Sequence, residues 1–316
     1  MVEELCLRLL LEWLQDSYGV AFAAEGSPQA GWAEARSGPH SMRLHIGALW
    51  EEDEPWSRSR RALEEETGRG LDGAWILWVP PGAALPAQGP AAADFVRRVR
   101  DVASALAPGR RSYVPLPALL YLVKTDEAGG YVSAEGGLSP YWAHLSERVQ
   151  GTYFLDSRSL HRLPEGDKAR DELLRTIVEL AAELPLNRLT EIPCTDAWTL
   201  QRLRTGPGRA AGPGGLGTNG LAIVAASPAL AGEGAVVRRL LHRLVARANE
   251  AFAQRQTDLQ VAVAIGAYQY VGQENVTAFL RGFDPVRYAH LDALFLAADG
   301  QIKPILPLRQ APWGGP

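Results

Sequence analysis

Apolar residues recur along the chain with two periods, one typical of helices and one typical of strands. Residues 2–16 repeat apolar side chains every three or four positions, which predicts an amphipathic first helix. The same period predicts further helices over 57–67, 91–106, 139–149, 167–184 and 234–254. Short apolar or alternating runs predict strands over 18–24, 31–36, 42–50, 74–79, 112–124, 221–226 and 259–268.

Turn signals predict how some of these strands pair. Two apolar runs, 290–297 and 301–306, flank Asp299 and Gly300, a dipeptide that favours a tight hairpin turn. Pro304 has no backbone N–H, so the second arm is predicted to be an edge strand. Residues 131–133 are expected to form a hairpin with the strand over 112–124, and Ser139 is expected to cap the next helix.

The order of elements predicts an α/β fold. Helices alternate with short, wholly apolar strands, which is typical of a mixed sheet covered by helices on both faces. We expect an N-terminal α/β core over 1–125, a connecting region over 126–165 and a C-terminal α/β part over 166–316. That last part contains a Gly-rich loop over 204–220. One continuous domain is equally compatible with the pattern.

Composition narrows the class of protein. The chain has 316 residues and a formal net charge of −4, so it lacks the overall basic field typical of proteins that coat nucleic acid. Two cysteines cannot build a disulfide framework. The N-terminal segment has no basic start, and no apolar run approaches the roughly 18 residues of a membrane span. We therefore expect a soluble cytoplasmic protein with no membrane partner.

Several residues in the first third could carry metal-dependent chemistry. Glu12 lies on the first predicted helix, Glu34 and Arg36 form an E-A-R triplet on a strand, and His45 lies on the next strand. With the order helix, three-strand meander, helix, strand, helix over 2–107, this segment resembles the core of the restriction-endonuclease-like PD-(D/E)xK superfamily. The resemblance implies carboxylates that hold a divalent metal, which activates the attacking water.

The motif of that superfamily is incomplete here. Arg36 stands where the family has Lys, and Pro28-Gln29 stands where it has Pro-Asp. Arginine cannot act as a neutral base near an attacking water. The resemblance thus implies either a degenerate nuclease-like protein or a nuclease whose acids lie elsewhere, and it implies a divalent metal only in the second case. No other cofactor is evident.

Arginines cluster in two places and suggest contact with nucleic acid or another anion. Arg202, Arg204 and Arg209 enter the Gly-rich loop without an intervening acid. Arg239, Arg243 and Arg247 follow each other at four-residue spacing on one helix, so they share a face. The alternative interpretation is the solvated face of an amphipathic helix.

Other patterns lack part of what their chemistry requires. The glycines over 212–220 precede a strand, whereas a phosphate-binding loop runs from a strand into a helix. Cys194 lies near Asp196 but has no histidine close by in sequence. His290 and Asp292 alternate on one predicted strand face, a geometry that allows a hydrogen bond between them.

The sequence leaves three hypotheses open. The favoured one is a non-catalytic or degenerate nuclease-like protein with a binding or interaction role. The second is a metal-dependent nuclease or another enzyme that cleaves phosphodiesters. The third is a small-molecule binder or enzyme with a Trp-lined pocket, because six of the nine tryptophans lie within 13–78. Homo-oligomerisation stays open.

Overall fold

A computed structural model describes residues 1–51, 54–80, 82–86, 88–136, 138–204, 220–226, 234–254, 257–266 and 288–308. The chain divides into two compact units, one of Met1–Ser112 with Thr199–Pro316 and one of Tyr113–Trp198. Residues 126–165, expected to connect two parts of the chain, contribute strands and helices to the second unit. The described helices and mixed sheets confirm the predicted α/β class.

The helices and strands are numbered in chain order. The described helices are α1 (Val2–Tyr18), α2 (Glu54–Gly68), α3 (Gly89–Ala105), α4 (Ser139–Trp142), α5 (Asp167–Glu183) and α6 (Gly234–Ala253), with a 3₁₀ helix over Ala143–Arg148. The first described strands are β1 (Ala23–Ala24), β2 (Trp32–Ser37), β3 (His40–Ala48), β4 (Ala74–Trp78), β5 (Arg111–Asp126) and β6 (Gly130–Glu135). The later ones are β7 (Gly151–Asp156), β8 (Leu189–Arg202), β9 (Gly220–Val224), β10 (Leu259–Ile265), β11 (Ala293–Ala298) and β12 (Gln301–Leu306).

The first unit contains a sheet in the order β1-β2-β3-β10-β11-β12. Strands β3, β10 and β11 are parallel, while β2 and β12 are antiparallel to their neighbours. The predicted hairpin is confirmed, because Asp299 and Gly300 both adopt positive φ, 49° and 71°, between β11 and β12. Strand β12, which holds Pro304, lies at the sheet edge as predicted.

Helix α1 is apolar on most of its surface because it packs between two layers of strands. It contacts β3 and β12 of the sheet that runs from β1 to β12, and it contacts β4 and β9 on another side. Its buried residues share one apolar core with both sets of strands. Helix α6 covers the opposite face of the six-stranded sheet, where it contacts β3 and β10.

The strand beside the β1-β2-β3 meander comes from far along the chain. Strand β4 instead pairs with β9 in parallel and with β8 in antiparallel orientation, so that Trp75 lies opposite Arg202 and Trp78 opposite Thr199. The neighbour of β3 is β10, which follows α6, so residues 49–233 intervene between the meander and its next helix. The sequence predicted that α2 and β4 would follow the meander in this layer. In space, α6 and β10 take those places instead.

The second unit has its own core. Its strands lie in the order β6-β7-β5-β8, and α5 packs apolar residues such as Ile177 against them. The expected hairpin of 131–133 with β5 is wrong, because β6 pairs in parallel with β7. The expected helix over 139–149 is a short α4 followed by the 3₁₀ helix, and Leu138 rather than Ser139 precedes its first turn.

No described helix combines the length and the apolar character needed to cross a membrane. Most of the Gly-rich loop, residues 205–219, lies outside the described ranges.

Candidate nucleic-acid interface

The candidate site lies on the face of β2 and β3 that is turned away from α1. Alternate residues of these strands, Ala33, Ala35, Met42, Leu44 and Ile46, belong to the core that α1 shares. Side chains alternate across a strand, so the residues between them project to the opposite face, beside α6. These residues are Trp32, Glu34, Arg36, Arg43 and His45.

Trp32 organises the centre of this face. Its ring stacks on His45 with centroids 4.2 Å apart, and Phe252 of α6 meets it edge-on at 5.7 Å. The guanidinium of Arg43 lies 5.0 Å from the ring centroid of Trp32. Arg43 also donates from Nη1 to the carbonyl of Ala251 at 3.3 Å, which ties β3 to the end of α6. These contacts hold the Arg43 guanidinium in one place beside α6.

His45 is buried and neutral at pH 7. Burial and the positive charge of Arg247 together lower its pKa to about 4, although a hydrogen bond with the backbone of Gly31 opposes the shift. Its Nδ1 has no hydrogen-bond partner among the described residues. Gly31 adopts φ 83°, and a Cβ there would lie 2.5 Å from the carbonyl oxygen of Ile46. Glycine is therefore required where β2 closes over His45.

Helix α6, which packs on β3, carries exposed positive charge of its own. Arg239, Arg243 and Arg247 are all exposed, as expected for residues four apart on one side of a helix. Arg239 pairs with Glu51 at 3.0 Å, whereas Arg243 and Arg247 form no ion pair within the described part of the chain. Two uncommitted guanidinium groups thus lie on the helix that packs beside Arg43.

The residues predicted to hold a metal lie apart. Glu12 is on α1, across the sheet from Glu34, and it accepts a hydrogen bond from the backbone N–H of Arg204 at 2.8 Å. Burial raises the pKa of Glu12 to about 7, although that hydrogen bond and nearby arginines oppose the shift. Arg36 forms an ion pair with Glu25 at 2.6 Å. Glu34 is opposite Arg43 in the register of β2 and β3.

No group of three His, Cys, Asp or Glu side chains suited to a metal ion occurs among the residues that the structure describes. The face that carries Glu34 and His45 is instead rich in arginine. Its chemistry therefore favours contact with an anion over coordination of a cation.

Two of the other predicted arginines, Arg202 and Arg204, form contacts within the protein. Arg204 forms two hydrogen bonds with the carboxylate of Asp16, at 2.7 and 2.6 Å. Arg202 donates to the carbonyl of Leu106 at 2.9 Å and lies over the ring of Trp75. Arg209 lies outside the described residues. Arg202 and Arg204 are thus parts of the internal framework.

A buried His–Asp pair in the second unit escaped the sequence analysis. His161 Nδ1 lies 2.8 Å from Asp196 Oδ2, which also accepts a hydrogen bond from Trp198 Nε1 at 2.8 Å. Asp196 Oδ1 accepts from the backbone N–H groups of His161 and Arg162, each at 3.0 Å. The carboxylate therefore orders the loop after β7, and the sequence separation of 35 positions hides the pair from local patterns.

Among the residues that the structure describes, Cys194 is the nearest thiol in sequence to this pair, and it does not complete a nucleophilic site. Burial and the charge of Asp196 raise the pKa of the Cys194 thiol to about 11, so it is protonated at pH 7.

His290 and Asp292, which the sequence places on one strand face, each form a hydrogen bond with another residue. Asp292 Oδ2 accepts from the backbone N–H of Gln260 at 2.7 Å, and His290 donates its own N–H to Asn249 at 3.0 Å.

Trp32 and Arg43 were also missed, although a signal for them exists in the sequence. The turn between β2 and β3 sets the register that places Trp32 opposite His45 and Glu34 opposite Arg43. The contact of these residues with α6 has no such local signal. Comparisons with models of known families, with curated proteins and with solved structures give no significant match, so the interface rests on its own geometry.

Proposed function

We propose that this protein is a degenerate, nuclease-like α/β protein that binds the phosphate backbone of nucleic acid without cleaving it. The observation that carries the proposal is the pair of exposed arginines, Arg243 and Arg247, on α6, the helix that packs on β3 and to which Arg43 is bonded. The recurrence of helix, meander, helix and strand in α1, β1–β3, α6 and β10 supports the nuclease-like part.

The spacing of the arginines fits an extended polyanion. Residues four apart on a helix are separated by about 6 Å along its axis, so Arg243 and Arg247 form a short row. A guanidinium group donates two parallel hydrogen bonds to a phosphate, which makes arginine well suited to such a row. The exposed residue between them is Ala246, a small side chain that cannot insert into lipid as a membrane-surface helix requires.

The carboxylates of this region support binding over cleavage. Glu12 lies across the sheet from Glu34. Arg36 stands where the nuclease motif has lysine, and arginine keeps its proton, so it cannot exchange a proton with an attacking water as lysine can. Two separated carboxylates cannot share one divalent metal. The proposal therefore assigns the face to a sequence-independent contact with phosphates.

Fluorescence anisotropy with labelled single- and double-stranded oligonucleotides tests the proposal. We expect binding that weakens as salt rises from about 50 to about 200 mM, with the logarithmic slope set by the number of phosphates contacted. The double variant Arg243→Ala with Arg247→Ala should reduce that slope by about 1.8 on duplex DNA, at roughly 0.9 per lost contact. The control is Arg175→Ala, an exposed arginine on α5 of the second unit.

Two results would overturn the proposal. One is the absence of binding to either oligonucleotide at low salt, or binding that the double variant leaves unchanged. The other is cleavage of the oligonucleotide on addition of Mg²⁺ or Mn²⁺ that is absent from the Glu34→Gln variant, which would establish a metal-dependent nuclease instead.

A further inference from the structure

One ion pair on the exposed side of α6 joins Arg239 to Glu51. Arg239 Nη2 lies 3.0 Å from Glu51 Oε1, and the two side chains are 55% and 44% exposed. Arg239 precedes Arg243 and Arg247 at the same four-residue spacing. The three arginines thus share one side of the helix over about 12 Å of its axis, and Glu51 is paired with the first of them.

Two buried neighbours fix the position of Glu51 beside the helix. Leu49 packs in the apolar core between α6 and the sheet, and its N–H donates to the carbonyl of Ile265 at 2.8 Å. Trp50 packs in the core that α1 shares, on the other face of the sheet. The chain that leads to Glu51 is therefore anchored in both cores. Because the backbone is already ordered there, holding the carboxylate near α6 costs little further conformational entropy.

The carboxylate of Glu51 offers Arg239 the same kind of contact that a phosphate would offer. Both groups present anionic oxygens to a guanidinium group. While the pair is formed, the charge of Arg239 is compensated within the protein, and the carboxylate repels a phosphate that approaches it. Arg243 and Arg247 have no such acid, since they form no ion pair within the described part of the chain. Exposed ion pairs contribute little to stability, so this pair can be removed without loss of the fold.

We propose that Glu51 is an internal competitor for the arginine row of α6 and restricts phosphate contact to Arg243 and Arg247. The inference rests on the proposed function, because it concerns the same row. Glu51 lowers the affinity of the protein for a nucleic-acid backbone without regard to base sequence. Removal of its charge releases Arg239 as a third phosphate contact.

Salt titrations of oligonucleotide binding, followed by fluorescence anisotropy, test the proposal on the full chain. On duplex DNA, Glu51→Gln should steepen the logarithmic salt slope by about 0.9, the value for one additional phosphate contact. Between about 50 and about 200 mM salt, this variant should therefore lose affinity about 3.5-fold more than the parent does. Glu51→Ala, which removes the acceptor altogether, should give the same slope as Glu51→Gln.

Two controls separate the release of Arg239 from a change in net charge. Glu179→Gln changes the net charge equally and breaks an exposed ion pair on α5, that of Glu179 with Arg175. Its salt slope should equal that of the parent. Arg239→Ala should leave the parent slope unchanged. The combination of Glu51→Gln with Arg239→Ala should return to the parent slope, because the released contact is then missing.

Three results would contradict the role of Glu51. The first is a salt slope of Glu51→Gln equal to that of the parent, and the second is an equal steepening by Glu179→Gln. The third is a slope that falls by about 0.9 in Arg239→Ala alone, which would show that Arg239 already contacts a phosphate.

Failure of this inference is distinguishable from failure of the proposed function. If the parent binds and the Arg243→Ala, Arg247→Ala double variant loses slope, the proposed function holds whatever the Glu51 variants do. If only Glu51→Gln binds at low salt, the role of Glu51 is supported and binding by the parent is refuted. If neither binds, both proposals fail.

Discussion

Replacement of Asp196 by Asn tests how strongly the buried carboxylate supports the second unit. The amide oxygen can still accept from the backbone N–H groups of His161 and Arg162. The amide nitrogen then faces His161 Nδ1 and Trp198 Nε1. The imidazole can change tautomer and accept from the amide, but the indole cannot, because it is only a donor.

The expected loss follows from these contacts. One buried donor without a partner costs about 1–3 kcal/mol, and hydrogen bonds to a charged acceptor are each worth roughly 1 kcal/mol more than neutral ones. We therefore expect Asp196→Asn to lower the free energy of unfolding by about 3–5 kcal/mol, the sum of one unpaired indole donor and the two weakened backbone hydrogen bonds. Urea unfolding at pH 7, followed by circular dichroism, measures it.

Two comparisons make this prediction sharp. Glu191→Gln removes an exposed carboxylate from the same strand, β8, and should change stability by less than about 0.5 kcal/mol. A double-mutant cycle of Asp196→Asn with Trp198→Phe should show a coupling of about 1–3 kcal/mol, because the phenyl ring has no donor to leave unsatisfied. A loss below about 1 kcal/mol, or a cycle without coupling, would refute the reasoning.

The same carboxylate makes a prediction about acid. Burial by itself raises the pKa of Asp196, but the hydrogen bonds from His161 and Trp198 outweigh it, so the net pKa lies below the usual value. A folded-state pKa below the unfolded one stabilises the fold above the unfolded pKa of about 3.9. That contribution is lost as pH falls through the folded pKa. When the pH is lowered below about 4, the free energy of unfolding of Asp196→Asn should therefore fall by less than that of the parent.

Three further substitutions have defined outcomes in the first unit. Gly31→Ala places a Cβ 2.5 Å from the Ile46 oxygen, whereas Gly38→Ala meets nothing within 4 Å at φ 57°. Urea unfolding should therefore show a loss of about 3 kcal/mol or more for the first and about 1 kcal/mol for the second, and equal losses would contradict the clash. Burial raises the pKa of Glu12 to about 7, so its charge destabilises the fold as pH rises from about 4 to 7. Glu12→Gln should be more stable than the parent at pH 8 by about 1–3 kcal/mol, with the gap closing near pH 4; a constant gap would point to packing. Burial lowers the pKa of His45 to about 4, so the parent should lose stability as pH falls from about 6.5 to about 4, and His45→Phe should show a flatter stability profile over that interval.

Local periodicity was sufficient for most of the elements. The helix predicted over 167–184 is α5, Asp167–Glu183, and the apolar run at 74–79 is β4, Ala74–Trp78. Both have an apolar pattern that matches one period and has no competing signal. The single helix predicted over 139–149 was wrong. Its apolar residues pack on β6 and β7 from a short α-helix and a 3₁₀ helix, and the period of 3.6 residues does not describe a 3₁₀ helix.

The amino-acid sequence by itself determined the α/β class, the hairpin at Asp299-Gly300 and the row of arginines on α6. Each depends on the conformation or the spacing of neighbouring residues, which a short segment carries within itself. Only the tertiary structure decided that β10 pairs with β3, that Arg43 lies beside α6, and that His161 meets Asp196. These contacts depend on which distant surfaces bury each other, and hydrophobic periodicity reports that a residue is buried without specifying its partner.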